Sequence, residues 1–258
     1  MAVKFTETDG KTVVTKLTLH AHRHRRLHLA GVGAVRKDVT VTSSDKNVIE
    51  ATHLSLFDGP HGIFTVDFTV GTPGQATVEA THQSDTVTLP VTVVAPIALP
   101  GAATETGALV RLLLAESAGP LAYTAADIKL AMQYMRVVLQ NRTKNPAHYG
   151  GKAGQNSVVD IIKASNPVQF AGFQNYPHLG RDQQSVIDAD VRIANDDDDA
   201  RQSKYATQIK MAEEVATQPV MKDPCSTGLT GWFTHGMGNP GSGFKFWKLV
   251  AGTDFYTE

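Results

Sequence analysis

A glutamate at the end of an apolar run is the residue of this sequence best placed for acid chemistry. The run, Leu112-Leu113-Leu114-Ala115-Glu116, stops at Gly119. A helix that begins near Glu105 would place Glu116 on the face of the leucines, at the helix C-terminus. Burial and the helix dipole both raise the pKa of a carboxyl there, and a carboxyl partly protonated near neutral pH can protonate a glycosidic oxygen. The alternative is a glutamate that reaches solvent at a frayed helix end.

Polar and aromatic residues further along the chain would suit a sugar-binding cleft. Gln169 offers an amide to hydroxyl groups, and Phe170 offers a ring to the face of a pyranose. Asn141 and Arg142 end an apolar helix; they either brace the cleft or close the helix with a cation that offsets its dipole. Other aromatic candidates, either for sugar binding or for core packing, are Tyr176, Trp232, Trp247 and Tyr256.

Predicted helices carry most of these residues. Thr124 and Asp127 have the spacing of a capping box and open the helix that ends at Asn141 and Arg142. Ser157 and Asp160 have the same spacing before a short helix. Two more helices are predicted near 181–194 and near 198–217. The acidic run 196–199 is interpreted as a helix cap, because it lacks the alternating ligands and central glycine of a calcium loop.

The first 95 residues have the pattern of short β-strands. Val13-Val14-Thr15-Lys16-Leu17-Thr18-Leu19 alternates, as do 39–42, 64–70 and 76–80, and turn residues separate these runs. The pattern indicates an antiparallel sandwich of about seven strands. The stretches 41–49 and 74–80 resemble bacterial immunoglobulin-like domains, which commonly act as spacers or adhesive modules beside catalytic domains.

His20, His22 and His24 alternate within this region, which predicts three imidazoles on one strand face. No acidic or thiol partner lies nearby in sequence, so a basic, solvated sheet face is favoured over a zinc or nickel site. No metal or other cofactor is therefore expected. The single cysteine, Cys225, excludes an internal disulfide and is interpreted as structural.

Composition narrows the classes of function. The chain has 258 residues, of which 41% are hydrophobic and 19% charged, as in ordinary globular proteins. A net charge of −1 gives no bias toward nucleic acid or anionic membranes, and no apolar run approaches the length of a membrane span. The first residues lack the pattern of a secretory signal.

The order of the motifs in 108–258 resembles the cell-wall hydrolase family typified by spore-cortex-lytic enzymes of the SleB type. That family's pattern runs Ala-Glu-Ala-x-Gly-Glu, an apolar segment with Asn-Arg, then Gln-Phe, and a terminal Phe-Tyr. The matching residues here are Glu116, Asn141-Arg142, Gln169-Phe170 and Phe255-Tyr256. The resemblance implies cleavage of the β-1,4 bond between N-acetylmuramic acid and N-acetylglucosamine in peptidoglycan. Glu116 would be the general acid, in either a lytic transglycosylase or a muramidase.

The sequence departs from this family at the second glutamate, where Pro120 stands instead. A muramidase needs a second carboxylate to position water or to form a covalent intermediate. The candidates for that second acid are Asp127, Asp160 and Asp182. The loss of the family's second glutamate favours the transglycosylase mechanism, in which one carboxylate suffices.

These observations predict two domains: an immunoglobulin-like β-sandwich over 1–95, a proline-containing linker over 96–104, and a mainly α, lysozyme-like hydrolase domain over 105–258. Without a secretory signal, the protein is expected to be made in the cytoplasm. It would act on peptidoglycan in the periplasm or wall of its own or a target cell, as an antibacterial effector or phage-type lysin. Candidate further partners are a secretion-apparatus or phage-tail component and an immunity protein.

The sequence leaves two functions open as alternatives to glycan cleavage. The first is a binding or adaptor module, in which the β-domain attaches to a secretion apparatus, phage tail or wall and the lysozyme-like domain is inactive. The second is a wall amidase or peptidase. The amidase is disfavoured because the sequence shows no cysteine–histidine dyad and no compact zinc pattern.

Overall fold

The computed structural model describes residues 2–32, 39–58, 63–152, 154–238 and 241–258. The chain forms two compact units. Unit 1 comprises Met1–Pro96 together with Asn195–Ala200, and unit 2 comprises Ile97–Ala194 together with Arg201–Glu258. Among the described helices, none combines the length and the apolar character that a membrane crossing requires.

The described residues of unit 1 form two four-stranded sheets. Its strands are β1 (Lys4–Thr6), β2 (Leu17–His20), β3 (His24–Ala30), β4 (Val39–Ser43), β5 (Ile49–Asp58), β6 (Ile63–Val70), β7 (Gly74–His82) and β8 (Asp85–Val94). One sheet has the order β1-β3-β6-β5 and the other has the order β2-β8-β7-β4. The strand pairs are antiparallel except for β2 and β8, which run parallel.

A single apolar core joins the two sheets of unit 1. In β7, Ala76, Val78 and Ala80 are buried while Thr77 and Glu79 between them are exposed, as the period of two in a strand requires. Both sheets contribute buried side chains to the same cluster, including Phe5, Leu27 and Phe68 from one and Leu19, Leu89 and Val91 from the other.

The prediction that three histidines share one strand face is wrong. His20 ends β2 and is buried; its backbone N–H and its ring Nδ1 each lie 2.7 Å from a carboxylate oxygen of Asp197. His22 lies in the turn that follows, with a left-handed φ of 62°. His24 begins β3 in the other sheet. The turn breaks the alternation, so the imidazoles separate. No cluster of three metal-ligating side chains occurs in the described ranges.

The acidic run also differs from its prediction. Arg201 is the N-cap residue of the following helix, and it makes no side-chain capping bond. Asp197 instead contacts His20, and Asp198 accepts a hydrogen bond from Arg25 of β3. These carboxylates bind side chains of unit 1 because backbone amides and basic groups there are positioned to donate to them.

In the part of the chain that the structure describes, unit 2 combines five α-helices with one small sheet. The helices are α1 (Glu105–Glu116), α2 (Ala125–Arg142), α3 (Val158–Ile162), α4 (Arg181–Ala194) and α5 (Gln202–Ala216), and one 3-10 turn covers Pro146–Tyr149. The strands are β9 (Gly231–Thr234), β10 (Lys245–Val250) and β11 (Thr253–Thr257), which pair antiparallel in the order β10-β11-β9.

Local capping fixes where these helices begin. The Thr104 side chain accepts a hydrogen bond from the backbone N–H of Gly107 at 2.9 Å and so starts α1. Thr124 accepts from Asp127 at the start of α2, and Ser157 and Asp160 form a reciprocal capping box before α3. The predicted caps of α2 and α3 are therefore confirmed.

The core of unit 2 is built on α1. Leu109, Leu112 and Leu113 are each at most 1% exposed and belong to one cluster with side chains of α2, α3, α5 and the small sheet. Ile97 and Leu99 pack against the same cluster. The chain just after Pro96 thus contributes to the packing of unit 2.

The predicted fold class, an all-β immunoglobulin-like sandwich followed by a mainly α lysozyme-like domain, is wrong. The chain contains about as much helix as strand, 29% and 28%. Part of that strand content is the sheet of β9, β10 and β11 in unit 2. Cross-strand pairing between distant residues orders this C-terminal stretch, whose strands were not predicted from the sequence.

A half-buried carboxyl in α4 gives a pH-dependent prediction. Burial raises the pKa of Asp190 from 3.8 to about 6. A raised pKa means that its contribution to stability is complete below pH 3.8 and is lost as the pH rises through about 6. Because solvent still reaches the side chain, we expect Asp190→Asn to stabilise unit 2 by only about 1–2 kcal/mol at pH 8 and by nothing at pH 3.5.

Both tryptophans of the chain, Trp232 and Trp247, lie in unit 2, so denaturation followed by tryptophan fluorescence reports on this unit. The matched control is Asp188→Asn, an exposed position of the same helix. We expect the control to change stability by less than about 0.5 kcal/mol at either pH. An Asp190→Asn protein with the same stability as the parent at pH 8 would contradict the prediction.

Candidate active site

Glu116 is the last residue of α1, one turn after the buried Leu112 and Leu113. The backbone N–H of Ser117 closes the helix on the carbonyl of Leu113 at 3.1 Å. The carboxyl group is half-buried, and burial raises its pKa. The indole N–H of Trp232 donates to Oε2 at 3.3 Å, which offsets a smaller part of that shift. The carboxyl therefore binds its proton more strongly than an exposed glutamate does.

Trp232 connects this acid to an aromatic stack. It lies in β9, and its ring stacks on Phe170 with 5.0 Å between centroids and 25° between planes. Both side chains are less than 10% exposed. The contact holds the indole N–H toward Glu116, because the ring cannot rotate without losing its packing on Phe170.

Arg142 lies against the stacked rings of Phe170 and Trp232. This last residue of α2 is buried, and its guanidinium lies 4.9 Å from the ring centre of Tyr149, 5.7 Å from Phe170 and 5.9 Å from Trp232. Nη1 donates to Oε1 of Gln169 at 2.6 Å, and Nε donates to the carbonyl of Thr230 at 2.8 Å. Burial lowers its pKa to about 10. Arg142 stays charged at neutral pH and joins both neighbouring segments to α2.

Asn141 orders the chain that leads into β9. Its Nδ2 donates to Oδ2 of Asp223 at 2.6 Å and to the carbonyl of Leu229 at 2.9 Å. Asp223 in turn accepts hydrogen bonds from the backbone N–H groups of Cys225 and Leu229. Asn141 and Arg142 thus both hold the segment before Trp232 through side-chain hydrogen bonds.

Four of the aromatic residues predicted to bind sugar, Phe170, Trp232, Tyr176 and Tyr256, are buried. Tyr176 is 4% exposed and stacks on Phe173, with 6.3 Å between their centroids. Tyr256 lies in β11, is 6% exposed and makes an edge contact with Phe246. Burial raises the pKa of both phenols. Gln169 is half-buried, and its Oε1 accepts a hydrogen bond from Arg142.

The three candidate second acids have other roles or positions. Asp127 accepts a hydrogen bond from Thr124 at 2.7 Å at the start of α2. Asp160 accepts one from Ser157 at 2.6 Å at the start of α3. Asp182 lies exposed in the first turn of α4. Within the described residues, no hydrogen bond or ion pair connects any of the three to Glu116.

Sequence reasoning missed Tyr149 and Gln208. The Tyr149 hydroxyl donates to Glu258 at 3.0 Å while its ring faces Arg142. Gln208 of α5 is 1% exposed, and its Nε2 donates to Ser117 Oγ at 3.2 Å and to the carbonyl of Ala118 at 3.1 Å. A glutamine on the buried stripe of a helix was the available indication, because such a polar group needs a partner.

The indole N–H of Trp232 can be tested separately from its ring. Trp232→Phe keeps an aromatic ring on Phe170 but removes the donor to Glu116. Because that hydrogen bond favours the charged carboxylate, we expect the pKa of Glu116 to rise further in the variant. Carboxyl ¹³C NMR titration measures this, with the resonance assigned by its loss in Glu116→Gln. The control, Trp247→Phe, changes a ring that packs on Tyr134. A pKa shift of equal size in both variants would contradict a specific effect of the Trp232–Glu116 hydrogen bond.

No family model matches this sequence, and no curated protein matches it. Solved structures give partial matches. Domains 4 and 5 of the S-layer protein SbsC match with 19% identity and a TM-score of 0.27, over 31% of this chain and 42% of that one. The M1 domain from titin matches with 8% identity and a TM-score of 0.22, over 37% and 95%. The chain spans less than half the length of that S-layer structure. With TM-scores this low, these matches do not indicate a function for this chain.

Proposed function

We propose that this protein cleaves the glycan strand of peptidoglycan at the bond between N-acetylmuramic acid and N-acetylglucosamine, with Glu116 as the general acid. One observation carries the proposal. A continuous series of contacts runs from Glu116 through Trp232 and Phe170 to Arg142 and Gln169. These five residues come from four separated segments of the chain. Four of them, Glu116, Arg142, Gln169 and Phe170, are also positions on which the sequence resemblance to cell-wall hydrolases depends.

The environment of Glu116 suits proton donation to a glycosidic oxygen. Burial keeps a larger fraction of the carboxyl protonated near neutral pH, which general acid catalysis requires. After the proton leaves, the Trp232 N–H remains 3.3 Å from Oε2 and stabilises the new charge. The same carboxylate can then remove a proton from the muramyl hydroxyl that attacks the anomeric carbon, which forms an anhydro product.

The single acid favours this transglycosylase route over hydrolysis. A retaining or inverting muramidase needs a second carboxylate about 5–9.5 Å from the first. The side chains of Asp127 and Asp160 are used in helix capping, and Asp182 is exposed at the start of α4. We therefore expect the product to be an anhydromuramyl end.

Digestion of purified sacculi tests the proposal. We expect the wild-type protein to release muropeptides whose mass is 18 Da below that of the reducing form, because no water is added to the strand. Mass spectrometry before and after borohydride reduction distinguishes the two ends, since only a reducing end gains two hydrogens. Products with reducing ends would show that the protein is a muramidase rather than a transglycosylase. Sacculi that stay intact although the protein binds them would contradict the enzyme and support the binding module.

A further inference from the structure

A cavity of about 320 Å³ opens on unit 2 beside the segment that follows Glu116. The segment itself, the start of α2 and one face of α5 form its walls. The lining residues are Pro120, Tyr123, Thr124, Ala125, Ile128, Ser203, Lys204, Thr207 and Met211. The stack of Trp232, Phe170 and Arg142 contributes none of these residues, so this cavity, called here the α5 cavity, is a separate feature of unit 2.

The α5 cavity has an apolar floor and a polar rim. Pro120, Ile128 and Met211 are buried and form the floor. Hydroxyl groups and the ammonium of Lys204 lie exposed at the rim. Tyr123 is 45% exposed, a large fraction for an aromatic side chain in a folded unit. This combination suits a ligand with one apolar face, several hydroxyls and one negative charge.

The α5 cavity is also close to the acid. Pro120 is four positions after Glu116, so their Cα atoms are at most about 14 Å apart. Gln208, the neighbour of Thr207 in α5, holds Ser117 and Ala118 through its amide nitrogen. Its orientation is fixed because the carbonyl of Ala118 can only accept a hydrogen bond. The same helix thus fixes both the wall of the cavity and the backbone next to the catalytic group.

We propose that the α5 cavity is a subsite for an N-acetylmuramyl residue with a free lactyl carboxylate, that is, one whose stem peptide has been removed. The proposal rests on the function proposed above. The Tyr123 ring would lie along the pyranose, and Lys204 would pair with the carboxylate as a point charge. A volume of about 320 Å³ is enough for one substituted sugar. A stem peptide is joined to the lactyl carboxyl through an amide, which removes the negative charge that Lys204 would pair with.

Binding measurements on the Glu116→Gln protein test the proposal without turnover. The probes for calorimetry are chitotetraose, an alternating GlcNAc–MurNAc tetrasaccharide with free carboxylates, and the same tetrasaccharide with its stem peptides. We expect the free-carboxylate probe to bind most tightly. Adding Lys204→Gln should weaken that probe about two- to fivefold, as for an exposed ion pair, and leave chitotetraose unchanged. Lys210→Gln, on the same helix but outside the cavity lining, is the control.

A second variant fills the α5 cavity. Thr207 is exposed, so Thr207→Trp should fold normally, with an unchanged circular dichroism melt. We expect this variant to bind chitotetraose and the free-carboxylate tetrasaccharide at least tenfold more weakly. Unchanged affinities in Thr207→Trp, or equal effects of Lys204→Gln on chitotetraose and on the free-carboxylate probe, would overturn the subsite. Tighter binding of the peptide-bearing probe would overturn the proposed preference for a free carboxylate.

Failure of the subsite and failure of the enzyme give different results. If the wild-type protein leaves sacculi intact but Lys204→Gln still weakens the free-carboxylate probe alone, the subsite stands and the catalytic function falls. If the wild-type and Thr207→Trp proteins release products from sacculi at equal rates, the catalytic function stands and the subsite falls.

Discussion

Replacing Glu116 with glutamine should reduce the release of muropeptides from sacculi by about 100- to 10,000-fold, the range that a general acid contributes. Glutamine has nearly the same shape and can still accept the hydrogen bond from Trp232, but it has no proton to give to the leaving oxygen. The rate of product release, measured by chromatography of soluble muropeptides, gives the size of the loss.

The inactive variant should be at least as stable as the wild-type protein. Burial raises the pKa of Glu116, so its contribution to stability is complete below the ordinary carboxyl pKa and falls as the pH rises through the raised value. Glutamine does not ionise. We therefore expect Glu116→Gln to melt at a higher temperature than the wild-type protein at pH 8 and at the same temperature at pH 4. A lower melting temperature at pH 8 would show that the carboxylate is structural.

Other acids provide the controls for this loss of activity. Glu105→Gln removes an exposed carboxyl from the first turn of the same helix. Asp127→Asn, Asp160→Asn and Asp182→Asn remove the three candidate second acids. If Glu116 acts alone, each of the four should retain activity within about threefold. A loss of 100-fold or more in one of the aspartate variants would identify a second catalytic carboxylate and contradict the one-acid mechanism.

Local features of the candidate site could be predicted from the sequence. The start of α1 near Glu105, its end at the catalytic candidate, and the caps at Thr124 and Ser157 all follow from spacing within one or two helical turns. Such features depend on backbone groups that the neighbouring side chains satisfy. The burial that raises the pKa of Glu116 was predicted for the same reason, since the leucines of its helix must face a core.

The contacts between distant segments were not available from spacing. Trp232 reaches Glu116 across 116 residues, and Arg142 reaches Gln169 across 27. The sheet that presents Trp232 was missed because its short strands are ordered by pairing with β11 rather than by their own alternation. The turn at His22 was missed for a similar reason, since a single residue with a left-handed φ does not change the alternation pattern of the sequence.

Two arginines of α2 are equally buried but differ in their hydrogen bonds, so comparing them shows what the bonds of Arg142 contribute to stability. Arg142 and Arg136 are 6% and 5% exposed, and burial lowers the pKa of both. Arg142 donates to Gln169 and to the carbonyl of Thr230. In the described structure, Nε and Nη1 of Arg136 have no hydrogen-bond partner, and its ion pair with Glu105 is long, at 3.9 Å.

Arg142→Met should therefore destabilise unit 2 by about 2–4 kcal/mol, because it leaves two half-buried acceptors, Oε1 of Gln169 and the carbonyl of Thr230, without their donor. Arg136→Met should change stability by less than about 1 kcal/mol or increase it, because methionine replaces a charge whose hydrogen bonds are incomplete. Denaturation followed by the fluorescence of Trp232 and Trp247 measures both. Equal losses would mean that the packing of the side-chain stems, rather than the bonds of the guanidinium, holds this part of the site. A large loss for Arg142→Met alone would identify Arg142 as the residue that keeps the Trp232 stack in place beside the acid.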